Sequence, residues 1–303
     1  MKLGIGYIYT IFRYGYPPRV EDDLKALREI RDMGFHWLEM EGLGQEHTRA
    51  VWESRDVLRA SLRENGIAMH NFCAVDPELV SVDPGVRFAA LVRFQRSVEL
   101  AKCLGADTVH LASYAPPVEY VGMAPYRLDQ DYAFGDTFQL RVPPGFQWEA
   151  VWSALVDSCR HCADIARLQG LSVIMEPRVG EVVCSVDSML RLIKDVDRPN
   201  FLANFDTAHF SAQRENVVLA LHKLRGRFAK IHVADNVPSS ADHLAVGRGT
   251  IDWEGFLATL HGMGFDGVLS LDLGGGPDIV ANYRESAQRR AEIAARLRIP
   301  LEI

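Results

Sequence analysis

The chain has 303 residues, 48% of them hydrophobic and 24% charged, with a net charge of −7 and a pI near 5.8. That balance argues against a nucleic-acid groove built on an extensive basic surface, and no run of about 18 apolar residues marks a membrane span. The length suits one α/β barrel, typically about 250 residues, and the lack of a signal-peptide core makes a cytoplasmic protein the expectation.

Taken in chain order, the first half offers four short apolar runs, at 3–9, 36–40, 67–72 and 108–112. Between them lie stretches with helical spacing, such as 20–33, where Leu24, Leu27, Ile30 and Met33 recur at three-residue steps with charges on the other face. Gly34, Gly66, Gly105 and Gly264 stand at helix-to-strand joints, where glycine accepts the left-handed conformation that ends a helix. The first run leads into Tyr7, Tyr9, Phe12, Tyr14 and Tyr16, an expected aromatic loop rather than the glycine-rich phosphate turn of a doubly wound sheet.

After the fourth run comes an insertion over 114–147, rich in both proline and aromatic residues. Aromatics favour an ordered segment packed over the barrel mouth or at a subunit interface, with a self-contained surface loop as the plainer alternative. Cys159 and Cys162 form a C-x-x-C, but they fall within an amphipathic helical stretch with no second pair nearby and serve as small apolar filler.

The second half gives four more runs, at 171–176, 201–206, 228–232 and 267–272. Each ends in an ionisable residue: Glu176, Asp206, His232 and Asp272. Buried parallel strands read as continuous apolar runs, and barrel chemistry gathers where strands end at their carboxyl side. Eight strand-and-helix units therefore predict a single (β/α)8 TIM barrel over 1–303, with these four residues in one site. Carboxylates with one imidazole suit a single divalent cation, Mn²⁺ first, with Co²⁺, Mg²⁺ and Zn²⁺ as alternatives. Such an ion would polarise a carbonyl while a neighbouring carbon loses its proton, and a flanking carboxylate would be the base.

His70 and His110 are expected at the ends of strands three and four, facing the mouth, where either could bind a hydroxyl or move a proton. His110 joins Glu176 and Asp272 as a catalytic candidate. Glu181 is a second-shell or substrate-ligand candidate, Asp235 could orient His232 or a cation, and Arg248 could bind an anionic group, with Arg178 a weaker candidate of the same kind.

On the segments Met175-Glu-Pro, Asn204-Phe-Asp-Thr-Ala-His209, Ile231-His-Val-Ala-Asp-Asn236 and Gly247-Arg-Gly-Thr-Ile-Asp-Trp253, the chain resembles the xylose-isomerase-like barrels, the sugar phosphate isomerases and epimerases. Val82-Asp-Pro followed by a long helix belongs to the same pattern. The resemblance implies that Glu176, Asp206, His232 and Asp272 are metal ligands and that His209 sits at a second-shell or second-metal position. It also implies that the first and last carboxylates move the proton on either face of the substrate. The last position is usually Glu in the family; Asp272 is one methylene shorter, which bears on the two-base mechanism more than on metal binding.

The expected activity is metal-dependent enolisation of a keto-sugar, ending in isomerisation or epimerisation. The runner-up is a lyase on the same scaffold, such as a keto-cyclitol dehydratase or a C-glycoside deglycosidase, whose large subunit this chain would be and which adds a small partner subunit. An abasic-site endonuclease ranks third, since it predicts a basic DNA face. The expected partners are a small sugar or glycoside and further subunits, like or unlike, with no nucleic acid and no membrane.

Overall fold

The computed structural model describes residues 1–121, 139–237, 242–274 and 278–302. The strands are, in chain order, β1 (Lys2–Ile5), β2 (Trp37–Leu43), β3 (Ala68–Val75), β4 (Thr108–Ala112), β5 (Glu119–Val121), β6 (Gln139–Arg141), β7 (Ser172–Glu176), β8 (Phe201–Asp206), β9 (Phe228–Val233) and β10 (Val268–Leu271). Eight of them close into a parallel barrel in the order β1-β10-β9-β8-β7-β4-β3-β2, which is the predicted (β/α)8 architecture. The remaining pair, β5 and β6, forms an antiparallel ribbon at the base of the insertion, with Tyr120 opposite Leu140. Tyr126, Tyr132, Phe134 and Phe138 of that insertion lie outside the described residues.

The helices form because each buries one face on the barrel, and they stop where the sequence says they should. The helix Pro84–Leu104 starts with Asp83 accepting from the N–H groups of Gly85 and Val86, has Pro84 in its first turn, and ends at Gly105 with φ +100°. Gly34, Gly66 and Gly264 also have φ in the left-handed region. Cys159 and Cys162 are buried, unoxidised core residues of the helix Trp148–Leu168. Phe205 of β8 shows how strands and helices lock together: its ring lies 4.8 Å from Phe210, 5.8 Å from Phe228 and 6.0 Å from Phe256. Truncating such a residue to alanine costs about 3–5 kcal/mol. No helix among the described residues is long and apolar enough to cross a membrane.

Two local expectations need correction. The aromatic segment after β1 is a helix, Ile8–Tyr14, and not a loop. Tyr9 buries its ring and donates its hydroxyl to Glu29 at 2.6 Å, and Arg13 pairs with the same carboxylate, so tertiary anchoring outweighs the weak helix propensity of aromatic residues. His70 and His110 do not end their strands: His70 is the third residue of β3 and His110 the central residue of β4. Between β2 and β3 the pairing steps from Leu38 opposite Met69 to Glu39 opposite Asn71, leaving His70 as the extra residue of a bulge.

Candidate metal and substrate site at the barrel mouth

Glu176 and Asp206 are the last residues of β7 and β8, His232 is the penultimate residue of β9, and Asp272 follows β10 directly. All four are buried. Strand register brings them together around the imidazole: His232 Nδ1 is 2.7 Å from Glu176 Oε1, 3.7 Å from Asp206 Oδ2 and 3.7 Å from Asp272 Oδ2. The approach to Glu176 is a close charge contact without hydrogen-bond direction, and neither His232 Nδ1 nor Asp206 Oδ2 has a hydrogen-bond partner among the described residues. Two bare ligand atoms inside a cluster of three carboxylates leave a desolvation cost that a divalent cation would offset. The donor set, three carboxylates and one imidazole, fits such an ion.

The other side of the imidazole is fixed from below. His232 Nε2 lies 2.9 Å from Glu39 Oε2, and Glu39 also accepts from Asn71 Nδ2 at 3.0 Å and from Ser270 Oγ at 2.5 Å. A carboxylate on the far nitrogen selects the tautomer that leaves Nδ1 bare, the arrangement that supports metal-ligating histidines. Burial alone would raise Glu39, but the facing His232 and His70 rings hold it well below the usual carboxylate range. His232 is pushed the opposite way: burial lowers it, and Glu39, Asp272 and Glu176 together raise it well above an ordinary histidine, so a cation at Nδ1 would take the place of a proton there.

Asp206 has two jobs. Oδ1 accepts the backbone N–H of His209 at 2.8 Å and caps the short helix Thr207–Ala212, while Oδ2 faces the site. Burial, partly opposed by His243, pushes this carboxyl up to about 7. One ligand atom each from Asp206, His209 and His243 lie within 4.8 Å of one another, and a similar group joins Glu39, His110 and His232. His243 comes from the loop after β9, with Nδ1 2.8 Å from the Asp272 carbonyl. His110 Nε2 is 3.8 Å from Glu176 Oε2, and burial lowers both His110 and His70 to about 4, so both rings are neutral near pH 7.

Above the ligands opens a cavity of about 290 Å³ lined by Glu41, Glu176, Glu181, Asp272 and Arg178, by three histidines, and by Tyr16 and Tyr114. Arg178 makes an ion pair with Glu176 Oε2. Glu181 lines the cavity but has one oxygen committed to the chain after β4, accepting from Ser113 N and Oγ at 2.9 Å and Tyr114 N at 2.8 Å. Burial pushes Glu181 up to about 7 and Glu41 up to about 8.

Two predicted site residues stand elsewhere. Asp235 accepts from the N–H groups of Asn236, Gly247 and Ile251 and from Trp253 Nε1, so its carboxylate organises the loop before the helix Trp253–Gly262 and makes no contact with His232. Arg248 pairs with Glu285 at the surface and does not line the cavity. Conversely, Glu39, Glu41 and His243 went unread in the sequence. The signal for the first two was present: Leu38-Glu-Met-Glu41 places two acids on one face of a buried strand.

Comparison with known proteins agrees with the barrel fold. The family model described as xylose isomerase-like TIM barrel matches residues 27–297. An L-ribulose-5-phosphate 3-epimerase, UlaE, of Salmonella paratyphi C is 22% identical over 288 residues, covering 93% of this chain and 89% of the relative. Among solved structures, D-psicose 3-epimerase from Clostridium cellulolyticum H10, crystallised with D-tagatose, superposes with a TM-score of 0.74 at 19% identity, covering 97% of this chain and 99% of that one. The 3-keto-D-glucoside 4-epimerase from E. coli gives 0.73 at 19% identity over 96% and 99%, and the IOLI protein with a bound zinc atom 0.71 at 18% over 98% and 99%.

Proposed function

The chain belongs to the xylose isomerase-like TIM barrel family, and on that footing we propose that it enolises a keto-sugar with the help of one divalent cation, giving epimerisation or isomerisation. The observation that carries this reading is the convergence of Glu176, Asp206 and Asp272 on His232 Nδ1, with Glu39 holding the opposite nitrogen. Bound by those four side chains, an ion such as Mn²⁺ would supply electrophilic stabilisation of the enediolate oxygens.

The protein's own groups do the rest. Glu176 and Asp272 border the cavity and are the proton carriers, removing the carbon-bound proton and returning it. Arg178 and His232 oppose the burial penalty on Glu176 and hold it well below the usual range, so it enters the reaction ionised. Neutral His110, 3.8 Å from Glu176, is placed to pass a proton to or from that carboxylate. Tyr114, whose hydroxyl accepts the N–H of Asp76 at 2.7 Å, anchors the start of the insertion 114–147 beside the cavity. The shorter Asp272 favours a second outcome on the same site, loss of a leaving group after a single deprotonation.

Asp206→Asn tests the reading cleanly, because asparagine keeps the oxygen that caps the helix and removes the ligand charge. Elemental analysis and solvent deuterium exchange into keto-sugars should show both bound metal and exchange lost in Asp206→Asn and His232→Ala, with the circular dichroism of the fold unchanged. Full exchange in either variant refutes the site.

A further inference from the structure

Successive side chains along β2 alternate between the barrel interior and the helix layer, so Glu39 and Glu41 share the inward face one step apart. Their situations differ. Glu39 sits in the lower layer with both oxygens engaged by His232, Asn71 and Ser270. Glu41, opposite Cys73 in the register with β3, lies one layer up, lines the cavity and makes no hydrogen bond among the described residues. A carboxyl held inside a barrel mouth beside the ligand cluster, with no hydrogen-bond partner among the described residues, is positioned for a ligand.

The charges around it say what kind. The described lining of the cavity has carboxyl groups from Glu41, Glu176, Glu181 and Asp272, one guanidinium, that of Arg178, which Glu176 already engages, and the rings of His209, His232 and His243, of which His243 stands 3.4 Å from Asp272 Oδ2. A divalent ion would offset two of the three ligand carboxylates and leave no surplus positive charge for a phosphate or carboxylate on the substrate. Anionic groups are bound where arginine, lysine or exposed helix N-termini converge. Ile8, Ile11, Leu43, Val75 and Pro77 give the wall an apolar part, and about 290 Å³ is the size of a small-molecule pocket at its lower limit.

We propose that Glu41 binds a hydroxyl of the substrate and that the cavity takes a neutral monosaccharide-sized polyol chain in preference to its phosphate ester. This rests on the keto-sugar reading above and adds to it the substrate class and the residue that recognises it. Among the similar proteins, it sets this chain apart from the L-ribulose-5-phosphate 3-epimerases.

The test uses the whole protein with and without Mn²⁺, titrated calorimetrically with ribitol and with ribitol 5-phosphate, which can occupy the cavity without reacting. Wild type should bind ribitol at least tenfold more tightly than the phosphate, a difference of about 1.4 kcal/mol. Glu41→Ala should weaken ribitol binding by roughly tenfold with metal content unchanged, and Glu41→Gln, which keeps a hydrogen-bonding amide, should fall between the two. Tighter binding of the phosphate, binding of neither polyol, or a Glu41→Ala variant that binds ribitol like wild type overturns the proposal. The two readings fail separately. Polyol binding without bound metal or proton exchange sinks the enolisation reading alone, and metal with exchange but an indifferent Glu41→Ala sinks this one alone.

Discussion

His232 and Glu39, separated by 193 positions in sequence, meet at 2.9 Å across the barrel, and this contact decides which nitrogen of the imidazole faces the three carboxylates. Glu39 is therefore a positioning residue for the proposed metal site, to which it contributes none of the four proposed ligands. Replacing Glu39 by Gln keeps the shape and removes the charge that stabilises the tautomer. The expected result is a roughly 10–100-fold loss of divalent-metal affinity with little loss of fold, read by metal titration alongside thermal unfolding. Unchanged affinity would mean that the tautomer is set without Glu39.

Gly6 controls the position of Asp272. A methyl group added at Gly6 would lie 2.4 Å from Asp272 Oδ1, closer than two atoms can sit, and the yielding partner is the carboxylate. Gly6→Ala should therefore displace Asp272 and lower kcat/KM by as much as roughly 100-fold, the scale of a 1 Å misplacement at a reacting centre. Metal affinity, measured in parallel, should fall with it because Asp272 is a proposed ligand, while the melting temperature should change far less.

Asp23 gives a pH dependence of stability that is separate from the site. It is buried beside Tyr7, whose hydroxyl donates to Oδ1 at 2.7 Å, while Oδ2 has no partner among the described residues. Burial, against the pull of the Tyr7 bond, pushes the carboxyl up to about 7. A raised carboxyl is favoured in its protonated form by folding, so its contribution is complete below about pH 4 and is lost as pH rises through 7. The loss amounts to at most about 4 kcal/mol. Asp23→Asn, which keeps the acceptor for Tyr7, should be more stable than wild type at pH 8 and should show a flatter melting temperature between pH 4 and 7. A steeper profile in the variant would exclude Asp23 as the source.

Much of this architecture was legible in the sequence because parallel barrel strands are buried on both faces and announce themselves as apolar runs. Glu176, Asp206, His232 and Asp272 could be picked out because each closes such a run. His70 and His110 were misplaced along their strands because apolar content does not fix where pairing starts, and the bulge at His70 changes which residues oppose one another. Asp235 and Arg248 have the residue types of a site, but their loop turns the first onto backbone N–H groups and the second outward to Glu285. His243 was invisible for the converse reason: it reaches the site from a loop, through a fold contact with the Asp272 carbonyl that no spacing rule encodes.

The polar chain beneath the site also has a consequence for assembly of the barrel. Thr108 of β4 donates to Asn71 of β3 at 2.8 Å, Asn71 to Glu39 of β2, and Glu39 is met from the far side by Ser270 of β10 and His232 of β9. A buried apolar strand can slide against its neighbour at little loss, whereas slipping β2 by one residue would turn Glu39 out of the barrel and strand several buried donors at once. The site thus works as the fold's registration mark: a closed barrel with mispaired strands would be penalised, and one with its strands in register carries its site side chains already aligned.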